Sequence, residues 1–215
     1  MRRWLMVSIC GVMLASAFAV QAQMPGGIST VPPPPPPAVA PPFTPVLQDA
    51  ALVTALQRGG YVLYMRHAAT DQSRQDATMV DLANCDTQRM LSDDGRAQAT
   101  TINSAFSTLN IPVGKVFASE YCRTKETAML AFGRSTPEPK LTLSKEDRTT
   151  YLQIMTTAPI PGTNTLLVGH VPGITTALGL ALNEGEIGIF DPSERDNPKF
   201  VARVMPNDWA GLPAR

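Results

Sequence analysis

The segment YVLYMRHAAT, residues 61–70, decides how this chain is interpreted. It is a short apolar run that ends in Arg66 and His67 and continues into small residues. Continuous apolar runs of this length are typical of strands buried on both faces, as in a parallel sheet. The segment therefore predicts a buried strand with His67 at its carboxyl end, the edge where ligands bind in open α/β sheets.

The second of the chain's two histidines has a similar setting. Another apolar run, residues 165–168, leads into Gly169 and His170. Two scarce titratable side chains at strand ends, one of them beside an arginine, indicate chemistry on an anion. The alternative is that both histidines are structural, buried and hydrogen-bonded at the ends of their strands.

A third segment, SEYCRTKETA at residues 119–128, also follows a predicted strand and opens a helix. Arg123 falls in the first turn of that helix, where free backbone N–H groups and the helix dipole favour an anion. A guanidinium group there adds a planar fork that suits phosphate oxygens. The alternative for Arg123 is an ordinary surface arginine.

Apolar periodicity and capping residues predict strands that alternate with helices. This alternation predicts a three-layer α/β/α sandwich with a mainly parallel central sheet. The predicted strands are 61–65, 115–119, 141–143, the run ending at Gly169, 187–190 and 200–204. The predicted helices are 47–58, one from Ser92 that Pro112 stops, 121–132, 148–157, and one from Pro172 with the apolar face Ile174, Ala177, Leu178 and Ala181.

Residues 1–22 have the features of a secretory signal peptide: Arg2 and Arg3, an apolar stretch, and a small-residue cleavage site before Gln23. The apolar stretch is shorter than the roughly 20 residues that a spanning helix needs, which disfavours an uncleaved membrane anchor. We therefore expect export, with a periplasmic or secreted location for the mature chain.

Residues 23–45 form a predicted linker, because they hold 10 of the 20 prolines and no charge. The folded domain is expected over residues 46–215, a length that suits one domain. Loss of Arg2 and Arg3 leaves 16 basic against 18 acidic side chains, a net charge of −2. The chain therefore has no excess of basic residues that would indicate nucleic acid as a partner, and no obligate protein partner is evident.

Cleavage of the signal peptide would leave two cysteines, Cys85 and Cys122. In an oxidising compartment an even pair predicts one disulfide. Two buried thiols are one alternative, and a cysteine hydrolase that uses Cys122 as its nucleophile is another.

Three motifs between about Tyr61 and Leu182 together resemble the histidine phosphatase superfamily, which includes the cofactor-dependent phosphoglycerate mutases. The first is Arg-His-Gly at a strand end, read here as Arg66-His67-Ala68 with alanine in place of glycine. Another is Gly-His after a late apolar strand, met by Gly169-His170. The third is Ser-x-x-x-Arg-Thr-x-x-Thr-Ala, met by Ser119, Arg123, Thr124, Thr127 and Ala128 with Glu120 where a proline is common.

The resemblance implies a role for each matching residue. His67 would be the nucleophile that attacks phosphorus and becomes phosphohistidine. Arg66, Arg123 and His170 would hold the phosphoryl oxygens and stabilise the transition state. Phosphoryl transfer needs positive charge around a neutral imidazole, and nearby arginines would lower the pKa of His67. No metal ion or cofactor is implied.

The residue that protonates the leaving group stays open. The resemblance implies a glutamate roughly at Glu146 or Asp147, but the glycine-containing pattern around it is missing. Two further candidates are Glu184, on the loop after the helix that follows the second histidine, and Asp71. The phytase and acid phosphatase branch fits less well, because Val171 stands where its acid follows the second histidine.

These observations together predict an exported, metal-independent phosphatase that acts on a small-molecule, glycan or lipid phosphomonoester. Mutase activity is disfavoured, because export would separate the enzyme from cytosolic phosphoglycerates. The alternative from another class is a non-catalytic envelope protein that binds phosphorylated sugars or lipids on the same fold.

Overall fold

The computed structural model describes residues 45–142 and 148–213. The predicted signal peptide, nearly all of the predicted linker, and the candidate acids Glu146 and Asp147 lie outside the described residues. The domain boundary at residue 46 therefore stays a prediction. No helix in the described ranges is long and apolar enough to span a membrane.

The described residues contain a mainly parallel sheet. Its strands are β1 (Val62–Arg66), β2 (Val113–Ala118), β3 (Thr136–Pro137), β4 (Asn164–Gly169), β5 (Ile187–Asp191) and β6 (Lys199–Val204). They lie in the order β3-β2-β4-β1-β5-β6; the first four are parallel, and β5 and β6 are antiparallel to their neighbours. β1 and β4 lie in the middle and are buried in all residues except Arg66. Their continuous apolar runs thus reflect coverage on both faces, as predicted.

Helices cover both faces of the sheet. They are α1 (Asp49–Arg58), α2 (Asp93–Thr108), α3 (Cys122–Phe132), α4 (Arg148–Met155) and α5 (Val171–Leu178). Side chains alternate along β1, so Leu63 and Met65 join the core beneath α1, α2 and α3. Val62 and Tyr64 join the core beneath α4 and α5. The predicted three-layer α/β/α sandwich is confirmed.

The start of α2 is packed against the loop that follows β1. Ser92 caps the helix: its Oγ accepts from the Gly95 N–H at 3.1 Å, and its own N–H donates to the Ala69 carbonyl at 3.0 Å. A Cβ at position 95 would lie 2.0 Å from that carbonyl oxygen, so this close approach requires glycine. The buried stripe that includes Ile102 and Phe106 holds the helix on the core. The helix start predicted at Ser92 is confirmed.

One predicted strand and the predicted end of one helix are wrong. The described part of the predicted strand 141–143 is not a strand, because Leu141 ends the 3-10 turn Pro139–Leu141. Its side chain is fully buried in the core beneath α4 and α5, which explains its apolar character, and the edge strand of the sheet is β3. α5 ends early because Gly179, with φ of 68°, adopts the left-handed conformation, so Ala181 lies beyond the helix.

A disulfide joins Cys85 to Cys122 with 5.7 Å between the Cα atoms, which confirms the predicted bridge. It ties residues 68–91, here called the Cys85 loop, to the first residue of α3. Gln88 is fully buried and strengthens this attachment, because its Oε1 accepts from the Cys122 N–H at 2.8 Å. The bridge also removes Cys122 as a candidate nucleophile, since its sulfur is not a free thiol.

Candidate active site

The carboxyl ends of β1 and β4 bring the two histidines together. The strands are parallel neighbours with Arg66 opposite Gly169, and the His67 N–H donates to the Gly169 carbonyl at 3.1 Å. His67 and His170 are 3% and 2% exposed, and their ring centroids lie 5.3 Å apart. The two strand ends singled out in the sequence therefore meet at one place.

The His67 ring is held in one neutral form. Its Nδ1 lies 2.9 Å from the Ala68 carbonyl oxygen. A carbonyl can only accept, so Nδ1 carries the hydrogen and Nε2 keeps its lone pair. Burial lowers the pKa of His67 to about 3, and the charges of Arg123, Arg66 and Arg89 act in the same direction. The imidazole is therefore neutral at physiological pH, as a nucleophile requires.

Alanine at position 68 is accommodated without backbone strain. Ala68 is fully buried and is not among the described residues with positive φ. Its N–H donates to Thr127 Oγ1 at 3.1 Å, and the Thr127 hydroxyl donates to the Arg123 carbonyl at 2.7 Å. Thr127 thus connects the loop after His67 to the first turn of α3.

A chain of hydroxyl groups orients the His170 ring. His170 Nε2 lies 2.8 Å from Ser119 Oγ, which in turn lies 2.8 Å from Thr124 Oγ1. The Thr124 hydrogen is directed at two backbone carbonyls, those of Ser119 and Tyr121. Ser119 therefore donates to Thr124 and accepts from His170, so Nε2 carries the hydrogen and the neutral ring keeps its lone pair on Nδ1.

His170 is also uncharged in the free protein. Its pKa is lowered to about 2, chiefly by burial and then by the neighbouring His67 and the arginines. A negative ligand in the same place would offset these positive charges.

Arg123 is part of this site and is 2% exposed, so the alternative of a surface arginine is wrong. Its guanidinium lies over the Tyr121 ring, 4.3 Å from the centroid. Its Nη1 donates to Asp76 Oδ1 at 2.9 Å, and the same oxygen accepts from the Arg89 N–H at 2.8 Å. Asp76, from the Cys85 loop, therefore fixes the position of Arg123 relative to that loop.

Arg66 reaches the site from the end of β1. Its Nη1 donates to the Leu182 carbonyl at 3.1 Å, and its Nη2 lies 3.4 Å from Glu184 Oε1. Glu184 also accepts a hydrogen bond from Thr70 Oγ1 at 2.8 Å. Of the four acids considered from the sequence, Glu184 is the one found beside a site arginine among the described residues.

The other described candidate acid, Asp71, has a local role. It accepts hydrogen bonds from the Ser73 N–H at 2.9 Å and the Ser73 hydroxyl at 2.6 Å. These bonds lower the pKa of its carboxyl group. Asp71 thus stabilises a turn in the Cys85 loop.

Arg89 is a site residue that no pattern in the sequence singled out. Its backbone carbonyl lies 3.5 Å from Arg123 Nη1, and its charge acts to lower the pKa of both histidines and of Arg66 and Arg123. Its Nη1 donates to the neutral side chain of Gln72 at 3.2 Å. It lies in an irregular loop without periodicity. One signal in the sequence could have indicated it. Arg89 lies four residues after Cys85, and the predicted disulfide joins Cys85 to Cys122, the residue before Arg123.

The three site arginines share an unusual feature. The Nε atoms of Arg66, Arg89 and Arg123 are buried, and none has a hydrogen-bond partner among the described residues. Buried donors are nearly always paired in folded proteins. Three such donors, on arginines whose charges act on two neutral imidazoles, fit an anion with several oxygens, such as a phosphoryl group.

Comparison with known families agrees with these motifs. The model of the histidine phosphatase superfamily, branch 1, matches residues 62–145, which run from β1 beyond α3. The match includes Arg66, His67 and Arg123, confirms the resemblance seen in the sequence, and supports a phosphatase function. No curated protein matches the chain.

Solved structures of the same fold are similar at low sequence identity. One is the protein histidine phosphatase SixA complexed with tungstate, at 17% identity and a TM-score of 0.50, covering 69% of this chain and 98% of that one. Another is a candidate phosphohistidine phosphatase SixA from Agrobacterium tumefaciens, at 17% identity and a TM-score of 0.50, covering 68% and 99%. These likenesses confirm the fold.

Proposed function

We propose that this chain is an exported, metal-independent phosphatase that transfers the phosphoryl group of a phosphomonoester to His67 and then to water. The observation that supports it most is the set of three buried, unpartnered Nε atoms on arginines whose charges act on the neutral imidazole of His67. A phosphoryl group supplies oxygens for such donors, and an imidazole with a free Nε2 supplies the nucleophile.

The reaction takes two steps. In the first, the Nε2 lone pair of His67 attacks phosphorus, and the bond from phosphorus to the leaving oxygen breaks. Arg66, Arg89 and Arg123 hold the phosphoryl oxygens and stabilise their charge in a largely buried site. In the second, water attacks phosphorus and the P–N bond breaks, which releases inorganic phosphate and restores neutral His67.

His170 serves as a proton-dependent donor in this scheme. Its Nε2–H is directed at Ser119, so Nδ1 is the ring nitrogen that remains for the substrate. A bound phosphoryl dianion offsets the positive charges that lower the pKa of His170 and favours protonation of Nδ1. The protonated ring then donates to a phosphoryl oxygen, so substrate binding is coupled to proton uptake.

We assign the leaving-group proton to Glu184, which lies beside Arg66. In its acid form it protonates the leaving oxygen, and as a carboxylate it accepts a proton from the attacking water. Glu184→Gln should lower kcat for alkyl phosphates far more than for p-nitrophenyl phosphate, whose leaving group needs no proton. Equal losses of kcat on both substrates would instead give Glu184 a role in holding Arg66.

Export is proposed from the features of residues 1–22. The Cys85–Cys122 bridge supports an oxidising compartment, because disulfides are rare in reducing ones. The proposed substrates are small-molecule, glycan or lipid phosphomonoesters. Fractionation of cells that express the full chain tests the location, and recovery of uncleaved protein in the cytosol would contradict it.

Phosphate release from a panel of phosphomonoesters, in buffer with EDTA, tests the activity. We expect turnover by the wild type and by Arg134→Gln, which alters an exposed arginine at the amino end of β2. His67→Ala should lose at least about a thousandfold in kcat. Rapid quench of a reaction with phosphate-labelled substrate should trap acid-labile, base-stable label on His67.

Two outcomes would contradict the proposal. Vanadate binding without turnover of any substrate would favour the non-catalytic alternative, and inhibition by EDTA would contradict metal independence.

A further inference from the structure

The backbone of His170 is held by a tyrosine hydroxyl and not by the sheet. β4 ends at Gly169, and His170 precedes α5 as its N-cap residue without a capping bond from its side chain. The Tyr64 hydroxyl donates to the His170 carbonyl at 2.9 Å and accepts from the His170 N–H at 3.0 Å. The Tyr64 hydroxyl therefore satisfies the backbone N–H of His170 and also binds its carbonyl, which as that of the N-cap residue accepts the first hydrogen bond of α5.

The surroundings of Tyr64 favour this double contact. Tyr64 is fully buried on β1, three residues before His67, in the core beneath α4 and α5. A Cβ at Gly169 would lie 2.2 Å from the Tyr64 hydroxyl oxygen, so glycine there makes room for the hydroxyl. Burial raises the pKa of Tyr64 well above its usual value, and the side-chain contact with Tyr151 acts in the same direction, so the phenol keeps its proton and can donate and accept at once.

We propose that Tyr64 is a positioning residue: its hydroxyl fixes the backbone of His170 and thereby holds the His170 imidazole at the phosphoryl site. The catalytic part of this proposal rests on the proposed phosphatase function. Ser119 holds the same ring at Nε2, 2.8 Å away. With its backbone fixed by Tyr64 and one ring nitrogen fixed by Ser119, the imidazole keeps little rotational freedom.

Tyr64→Phe tests the proposal, because it removes the hydroxyl and keeps the ring. The matched control is Asn164→Ala, which removes buried hydrogen bonds to the Leu56 and Pro112 carbonyls at the opposite end of β4. Both variants of the full chain should melt at lower temperature than the wild type. Tyr64→Phe alone should lose about 10- to 100-fold in kcat/KM, with a parallel loss of vanadate affinity. Asn164→Ala should keep wild-type kinetics.

Imidazole nitrogen NMR follows His170 without any turnover, since the chain contains two histidines. Tyr64→Phe should shift the His170 ring signals and leave those of His67 in place. The backbone amide of His170 should also exchange its hydrogen faster than in the wild type.

If the wild type hydrolyses no phosphomonoester, the proposed function fails, but the NMR signals still test the contact between Tyr64 and His170. Unchanged His170 signals and vanadate affinity in Tyr64→Phe would overturn the positioning role, even with a lower melting temperature. If Tyr64→Phe does not fold, rapid exchange of the His170 amide in the wild type would overturn it.

Discussion

Acidification should destabilise the domain through its two histidines. Burial is the main cause that lowers the pKa of His67 to about 3 and that of His170 to about 2, from the usual 6.5. In the unfolded chain both imidazoles take up a proton near the usual pKa of 6.5. At any pH between the folded and the unfolded pKa of a histidine, the unfolded state therefore binds more protons than the folded state. The stabilisation is therefore complete above about pH 6.5 and is lost as the pH falls toward 3.

As long as the pH of the measurement lies well above the pKa values in the folded state, the loss of unfolding free energy depends only on the pKa in the unfolded state. At about pH 5.5, each buried histidine should lower the free energy of unfolding by about 1.4 kcal/mol, and the two together by about 3 kcal/mol. No other side-chain type has its usual pKa in this window, and carboxyl groups titrate mainly below it. Urea unfolding followed by circular dichroism between about pH 8 and pH 5.5, in phosphate-free buffer, measures the change.

Variants separate the two contributions. His67→Gln and His170→Gln should each remove about half of the pH dependence, and the double variant should remove most of it. Vanadate should also reduce the loss in the wild type, if His170 gains its proton together with the anion. A constant free energy of unfolding over this range, or an unchanged pH dependence in the double variant, would refute the reasoning.

Three further outcomes are expected. Replacing Cys85 and Cys122 with serine opens a loop with a sequence separation of 37, which should cost about 4 kcal/mol of unfolding free energy on the chain-entropy model and lower activity. Thiol titration of unfolded, unreduced protein that begins at Gln23 should find no free thiol, and two would contradict the bridge. Arg123→Lys keeps the charge but loses the fork, so kcat/KM should fall by the equivalent of about 2–4 kcal/mol, and near wild-type kinetics would place Arg123 outside the pocket. Arg89→Gln should show a loss of similar size that Arg134→Gln does not share.

Local patterns in the sequence were sufficient for most elements and for the residues at the strand ends. His67 and His170 could be singled out because each follows a buried apolar run, and Arg123 because it falls at the start of a helix. Such inferences depend on residues a few positions apart, whose preferences periodicity and capping express directly. The catalytic roles of these residues stay predictions.

The Cys85 loop could not be placed in the same way. Arg89 and Asp76 belong to a segment without periodicity, and their positions depend on contacts with α3. Asp76 meets Arg123 across 47 residues of sequence, and Gln88 meets Cys122 across 34. The loop conformation is therefore set by long-range bonds and the disulfide, not by local propensity.

For Tyr64, the sequence determined one property and the tertiary structure determined another. The sequence by itself determined that Tyr64 lies on a buried strand, because its neighbours along the chain are apolar. Only the tertiary structure decided that its hydroxyl meets His170, 106 residues further along the chain. That contact depends on the parallel pairing of β1 with β4, in which Tyr64 lies opposite Leu167. Burial follows from the average character of a segment, whereas the partner of one hydroxyl follows from the register of the whole sheet.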